Sequence, residues 1–365
     1  MKVLCMIDSL TAGGAQRQLV NLAVLLKKNG ADIEFVVYRK NSFFQPILEQ
    51  AEIKITYLSN KNYLDRLISA RKFIKSVEPD YVISFLETPN FMACFSSIGR
   101  HKWKLITTEL SAKDSTFCGI KSKVFLFFQI FSDAIVCNSE NAAEKWRINC
   151  PGFSNKIRVI YNPVILENMD NRKCLHSGKR KNIVIPASYQ YLKNPVRLIE
   201  ALHRIDRQRL SELHLDWYGN PEPDFNNTRA YDESCGLIKK YNLNDVITLN
   251  HQTDQIYSIM RDADAVALFS TVEGLPNAIC EGMMLKKPII MSKVSDYKVF
   301  EKTGGFILCD PLCVDSIANA INQFLDLDSN VCTKMGQNNY EFAINNFAPE
   351  IIVKKWIELF DEIEN

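Results

Sequence analysis

The sequence predicts an α/β protein built from two doubly wound parallel sheets. Three observations carry that expectation. Strand-like and helix-like apolar runs alternate along the chain over short connections, the pattern of βαβ units with helices on both faces of a sheet. At 365 residues the chain exceeds what one hydrophobic core ordinarily serves. The alternation then restarts after a polar stretch, NMDNRKCLHSGKRKN at 168–182, that reads as a linker. The boundary is placed near Val164, giving a first domain of 1–164, a second of 165–345 and a closing helix in 346–365.

In the first half, KVLCMI reads as a buried strand and AQRQLVNLAVLLKKNG as an amphipathic helix closed by Gly30. IEFVVY and IKITYL are further strands, and YLDRLISARKFIKSV is a helix ended at Glu78-Pro79. YVISF, KLITT and AIVCN continue the strands, and IRVIYNPV closes the half in a rigid Asn-Pro turn. In the second half, NIVIPA is a strand and SYQYLKNPVRLIEAL a loop entering a helix. HLDWYGN is a strand ending at Gly219, and VITLNHQTDQIYSIMRDADAVALF holds a helix between two strands. KKPIIM, the Gly304-Gly305 turn, FILC and the helix CVDSIANAINQFL finish the sheet, before the amphipathic run APEIIVKKWIELFDEIE.

Composition removes several functional classes. With 47% apolar residues, 24% charged residues and net charge +2, the chain reads as a soluble globular protein without the basic excess of a nucleic-acid binder. Its 11 cysteines form no C-x-x-C pair, so neither zinc nor a disulfide framework is expected and reduced thiols in a cytoplasm are the simplest reading. The start MKVLCMIDSL breaks its apolar run at Asp8, unlike a cleavable signal. No stretch approaches the roughly 20 apolar residues of a membrane span. The D-x-D pairs Asp262-Ala263-Asp264 and Asp326-Leu327-Asp328 do not follow a strand as a metal-diphosphate motif would, so no metal ligand is assigned.

The most informative stretch is EGLPNAICE, Glu273 to Glu281. A strand ends, a loop turns at Gly274, and a helix begins near Pro276 and Asn277, where proline's missing N–H is harmless. The open N–H groups and positive dipole end of such a helix suit an anion. Glu281 lies one turn beyond Asn277, and Glu273 precedes the helix. Carboxylates repel phosphate but accept well from hydroxyls, so a diphosphate flanked by two polyols fits, and a nucleotide sugar is such a molecule.

This string resembles the donor-site signature of the retaining family 4 glycosyltransferases, in which a Glu, seven residues and a second Glu surround a Gly-x-Pro turn. The resemblance implies the GT-B fold: two Rossmann-like domains facing across a cleft, with the last helix crossing back to the first. It also implies transfer of a sugar from a nucleotide diphosphate sugar, UDP-linked rather than GDP-linked, to a hydroxyl of a saccharide or lipid-linked acceptor. The nucleotide sugar is a co-substrate, and no cofactor or metal is called for. The family's bacterial members build surface polysaccharides on a polyprenyl carrier, which would place the chain at the inner face of the cytoplasmic membrane.

Residue by residue, the implied donor site comprises Ser188, Lys193, Asn194, Gly219, Gln252, Thr253, Glu273, Gly274, Leu275, Pro276, Asn277 and Glu281. Lys193 would grip the diphosphate, Glu273 would orient the sugar, and Glu281 would hold the ribose. Ser188 stands where the family has Arg, and Arg197 or the helix start could compensate. The loop SLTAGGAQR matches the family's Gly-Gly-x-Glu/Gln at Gly13, Gly14 and Gln16, which would face the cleft; it is not a dinucleotide fingerprint, since G-x-G-x-x-G is absent. Glu109, at the end of LITTEL, would contact the sugar or the acceptor hydroxyl, or else cap the next turn.

Between Gly99 and Phe131 the runs RHKWK and KSKVFLFFQIF are basic and aromatic. They read either as a core helix with a solvated end or as a peripheral contact with an anionic membrane. A non-catalytic nucleotide- or carbohydrate-binding protein and a sugar-nucleotide epimerase are the alternative functions that the same architecture admits.

Overall fold

The computed structural model describes residues 1–58, 62–111, 114–166, 180–222 and 227–364, so most of the expected linker lies outside the described residues. The chain divides into two compact units, Met1–Pro163 with Ala348–Asn365, and Val164–Phe347.

In the first unit seven described strands are ordered β3-β2-β1-β4-β5-β6-β7. They are β1 (Lys2–Met6), β2 (Asp32–Val37), β3 (Lys54–Tyr57), β4 (Tyr81–Ser84), β5 (Lys104–Glu109), β6 (Ala134–Cys137) and β7 (Ile157–Val159), all paired in parallel. Central strands such as β4 and β6 are buried at every position because both sheet faces are covered. Val82 points into the core shared with Leu67, Ile74, Phe91 and Met92 of helices Tyr63–Val77 and Glu87–Ser96. Its neighbour Tyr81 points to the opposite face, where its ring lies 4.3 Å from that of Phe360. Phe360 belongs to helix Pro349–Glu364, so the last helix of the sequence completes the first unit's layer. The Tyr81 hydroxyl also donates to the Glu364 carboxylate, and Arg158 pairs with Glu362.

The second unit has six described strands in the order β10-β9-β8-β11-β12-β13. These are β8 (Lys181–Pro186), β9 (Leu213–Gly219), β10 (Ile247–His251), β11 (Ala265–Leu268), β12 (Ile289–Ser292) and β13 (Phe306–Cys309), again all parallel. The expected turn glycines Gly30 and Gly304 adopt φ of 89° and 73°, backbone that L side chains resist. Helix Ser329–Phe347, not singled out from the sequence, packs on helix Asn277–Met284. Gly336 permits that contact, since a Cβ there would lie 2.0 Å from the Lys286 carbonyl oxygen.

The basic-aromatic run divides in a way its composition conceals. Trp103 of RHKWK is 5% exposed and stacks on His101 at 4.6 Å, so one buried ring anchors that half while Arg100, His101 and Lys102 stay exposed. In KSKVFLFFQIF, Phe125, Phe128 and Phe131 pack inward while Val124, Phe127 and Ile130, like Ile120 just before the run, stay exposed.

Candidate active site

In a doubly wound sheet, ligands bind outside the carboxyl ends of the strands where the strand order reverses. In the second unit that point lies between β8 and β11. The loops leaving these two strands, 187–194 and 269–276, are tied together. The Thr271 N–H donates to the Leu192 carbonyl at 2.8 Å. Asn194 donates its amide to the Phe269 carbonyl at 3.1 Å and to Pro311 at 2.7 Å. Lys193 Nζ then reaches Glu273 Oε1 at 2.6 Å, with side-chain exposures of 20% and 11%. Thus the residues expected to hold the diphosphate and the sugar meet as a half-buried ion pair at the switch point.

Beyond the pair, helix Asn277–Met284 starts after Pro276, whose carbonyl accepts from Ile279 N at 2.9 Å. Leu275, Ile279, Cys280 and Met283 anchor this segment in the core. Gly282 seats it on the sheet, because a Cβ there would stand 3.0 Å from side-chain atoms of both Val266 and Ile289. Glu281 is 7% exposed and accepts from the Tyr257 hydroxyl at 3.3 Å, so it is a held, buried acid and not a solvated helix residue. Gln252 and Thr253 follow β10; Thr253 Oγ1 accepts from Gln255 N at 3.1 Å and shapes that loop.

Several donor-site expectations change role. Asn194 is 2% exposed, has φ of 68°, spends both amide hydrogens on carbonyls and accepts from Arg197. It holds the loop; its side chain has no donor hydrogen left for a ligand. Arg197 is correspondingly engaged at Asn194, at 3.1 Å, and not extended as a substitute for the Arg replaced at Ser188. Gly219 is required by the protein itself, since a Cβ there would lie 1.9 Å from the Ala187 carbonyl oxygen and 2.9 Å from Ser188 Cα. The Trp217 indole donates to that same Ala187 carbonyl at 2.6 Å.

Sequence reading missed Ser295, which follows β12 at the same sheet edge. Its hydroxyl donates to the Gly274 carbonyl, and its own φ of 54° is a left-handed conformation that a non-glycine residue holds only when its surroundings enforce it. A Ser-Asp pair just past a strand's carboxyl end was the available signal. Tyr257, the partner of Glu281, had none.

At the first unit's switch point, β1 and β4, the charges are committed internally. Asp8 accepts from Ser9, from Gln16 Nε2 at 3.1 Å and from Arg39 at 3.4 Å. Gly13 caps helix Gly14–Lys28, and its missing Cβ leaves room for Gln16, whose Oε1 would otherwise be 2.1 Å away. Gln16 is therefore turned onto Asp8 and 8% exposed, so its amide is engaged within the unit. The glutamine makes sense beside Asp8, because a glutamate could only repel it. Gly14 meets nothing within 4 Å and leaves its surface open. Of the two roles expected for Glu109 the contacts match the cap: it accepts from Ser111 N at 2.9 Å, Ser111 Oγ at 3.0 Å and Trp146 Nε1 at 3.2 Å, and so holds the turn. Burial pushes its carboxyl upward against those three donors.

The D-x-D aspartates are structural. Asp264 accepts from Asn182 N at 2.7 Å at the amino end of the sheet, Asp262 pairs with Arg261 at 3.0 Å, and Asp326 pairs with Arg209. No cluster of three metal-ligating side chains occurs among the described residues, and no described helix is long and apolar enough to cross a membrane.

Two parallel sheets, with a charged pair and a helix start at the second sheet's switch point, define a two-unit, doubly wound α/β protein. Residues 168–342 match the model of glycosyl transferases group 1, and residues 12–168 match that of glycosyltransferase family 4. The chain belongs to this glycosyltransferase family. It is similar to a Campylobacter jejuni α-1,4-N-acetyl-D-galactosaminyltransferase acting on an undecaprenol-diphosphate-linked saccharide, at 22% identity over 100% of this chain and 99% of that one. It is likewise similar to the amylovoran biosynthesis glycosyltransferase of Erwinia amylovora, at 22% identity over 99% of both. Among solved structures, Anabaena HepE in complex with UDP superposes with TM-score 0.86 at 19% identity, over 99% of this chain and 100% of that one. A Rickettsia africae glycosyltransferase gives 0.85 at 18% identity, over 100% and 98%. The fold is thus GT-B, the architecture of these neighbours.

Proposed function

We propose that this protein transfers a sugar, with retention of anomeric configuration, from a UDP-sugar to a hydroxyl of a saccharide or polyprenyl-diphosphate-linked oligosaccharide in surface polysaccharide synthesis. The observation that carries this is the Lys193–Glu273 pair at the β8/β11 switch point, beside the start of helix Asn277–Met284. The names of the relatives, and the UDP bound by the Anabaena neighbour, support the kind of donor and acceptor. A lipid-linked acceptor would be met at the inner face of the cytoplasmic membrane.

The barrier to transfer is charge developing on the leaving diphosphate and an oxocarbenium-like sugar carbon. Before the donor arrives, Lys193 and Glu273 neutralise each other. An arriving diphosphate competes for Lys193, and the released Glu273 accepts from sugar hydroxyls. One exchange thereby sets up both halves of the site. The positive end of helix Asn277–Met284 adds fixed dipoles that need no reorganisation as charge builds. Glu281, held by Tyr257, accepts from the ribose, while Gln252 and Thr253 border the base. Retention follows from attack on the face the diphosphate leaves, with a phosphate oxygen taking the acceptor's proton. No side-chain nucleophile is assigned, and the diphosphate charge is met without a metal.

Calorimetry with UDP, GDP and their sugars, followed by assay of nucleotide release with acceptor, tests this reading. Glu273→Ala and Lys193→Ala should each lower kcat/KM by about two orders of magnitude or more while the protein stays folded. Near-normal turnover in both variants would remove the assignment. Complete loss of activity in excess chelator would refute metal independence. Ser188 in place of Arg favours one second reading, a non-catalytic nucleotide-binding protein; UDP binding without acceptor-dependent release would establish it. Release that needs no acceptor, with interconversion of the sugar, would point to an epimerase.

A further inference from the structure

The first unit holds a small polar space at the carboxyl edge of its sheet. Thr108, Val136 and Asn138 lie on one face of β5, β6 and the turn after β6, the same face that carries Tyr81 on β4. Trp356 of helix Pro349–Glu364 and Leu22 of helix Gly14–Lys28 cover them, and Gln18 of the latter helix reaches the same place. A cavity of about 10 Å³ remains between these side chains, the room that one water molecule needs. Every residue lining it is buried except Leu110, which is half-buried.

Two acceptors at this cavity lack a donor. Gln18 is 4% exposed and Asn138 5% exposed, and among the described residues neither Gln18 Oε1 nor Asn138 Oδ1 has a hydrogen-bond partner. A buried acceptor left unpaired carries its whole desolvation cost, which native proteins rarely leave uncompensated. Thr108 does not supply the hydrogen, since its hydroxyl donates to the Ser84 carbonyl at 3.0 Å. Asn138 Nδ2 donates to the Leu110 carbonyl at 3.4 Å, and turning that amide over would set oxygen against oxygen. Two amide oxygens cannot satisfy each other; they need a group with two hydrogens to give. No residue lining the cavity is charged, so an ammonium ion or a metal cation would sit there without a counter-charge. Water is neutral, small enough and doubly donating.

We propose that this cavity is the site of one resident water molecule, which donates one hydrogen to Gln18 Oε1 and the other to Asn138 Oδ1. It joins the second turn of helix Gly14–Lys28 to the turn after β6, beside Asn162 and the Pro163 on which the first unit ends. The water thereby seats the helix whose start carries Gly13 and Gly14. It draws on nothing in the second unit's donor site, so it stands apart from the function proposed above.

A high-resolution crystal structure of the full chain is the direct test: one water should lie about 2.7–3.2 Å from both oxygens. An empty cavity, or a Gln18 amide turned to donate straight to Asn138 Oδ1, overturns the proposal. In solution, oxygen-17 magnetic relaxation dispersion counts long-lived waters. Gln18→Met keeps the length of the side chain and removes its acceptor, so the count should fall by one; an unchanged count overturns the proposal. Val136→Ile adds a methylene at the cavity. Filling a dry apolar space would raise Tm, whereas expelling a water that two acceptors require should lower it by about 2–4 °C. The fall should be smaller in the Gln18→Met background, where one of those acceptors is already gone. A raised Tm, or an equal fall in both backgrounds that marks mere crowding, overturns the proposal. UDP binding by the wild type reports on the functional reading alone, so the two can fail separately.

Discussion

The two sheets share one strand order across their switch points, the first adding a seventh described strand, and differ in what their loops do with charge. At the first, the Asp8 carboxylate takes Ser9, Gln16 and Arg39, and Glu109 takes Ser111 and Trp146, so its acids serve the protein itself. At the second, backbone ties through Asn194 and Thr271 hold the loops, and Lys193 and Glu273 satisfy each other across them. An ion pair at the end of two braced loops is exchangeable for a ligand without unfolding the loops. Carboxylates already accepting from backbone and indole N–H groups are not. Function therefore follows the loops grafted on a repeated scaffold, and the scaffold alone does not assign it.

This contrast can be broken most severely through glycine. Gly219→Ala drives a Cβ into the Ala187 carbonyl at 1.9 Å and should cost about 2–4 kcal/mol, seen as a large fall in Tm. Gly14→Ala, with nothing within 4 Å at a helix start, should be neutral or stabilising by about 0.5–1 kcal/mol. Equal effects would mean that the close approach at Gly219 does not govern its loop.

Gln16→Glu sets a second carboxylate against Asp8, 3.1 Å from the present amide, and should destabilise by about 1–2 kcal/mol at neutral pH. The like charge raises the new carboxyl, so the folded state binds the extra proton. The loss should shrink as pH falls through that raised value, and a pH-independent Tm difference would contradict the account.

Ser295→Ala frees the Gly274 carbonyl and should lower kcat/KM about tenfold, mainly through the KM of the donor. Ser295→Gly, which tolerates φ of 54°, should lose as much, since the hydroxyl is what it lacks. Retained activity in the glycine variant would mean that the backbone conformation alone sets the loop.

The smallest expected effect lies away from both switch points. Hydrogen bonding to Asp216, 3.4 Å away, raises the His214 imidazole above its ordinary value of 6.5. Its contribution to stability is complete below that ordinary value and is lost as pH rises through the raised one. His214→Gln should flatten that part of the Tm–pH curve, and an unchanged slope would assign it to other groups.

Much of this was legible because its signals are local. Continuous apolar runs such as AVAL and YVIS become strands buried on both faces, and Pro276 and Pro195 mark helix starts. Glu273 and Lys193 drew notice because both follow strands, at the sheet edge where doubly wound folds hold ligands. The Asn194 reading failed because a lysine–asparagine string does not reveal that the asparagine faces inward, onto the carbonyls of Phe269 and Pro311. KSKVFLFFQIF looked uniformly aromatic, and only the packing of Phe125 and Phe128 on Phe91 shows which half is left outside.

By itself the sequence determined the alternating elements, the two-unit organisation around a polar break and the acid-flanked helix start, since each depends on residues near one another in the chain. Tertiary structure alone decided that Lys193 meets Glu273 across 80 positions, that Ser295 reaches Gly274, and that the last helix lies against Tyr81. Those contacts join segments remote in sequence, and which of them form depends on how parallel strands are ordered, a choice that no local pattern encodes.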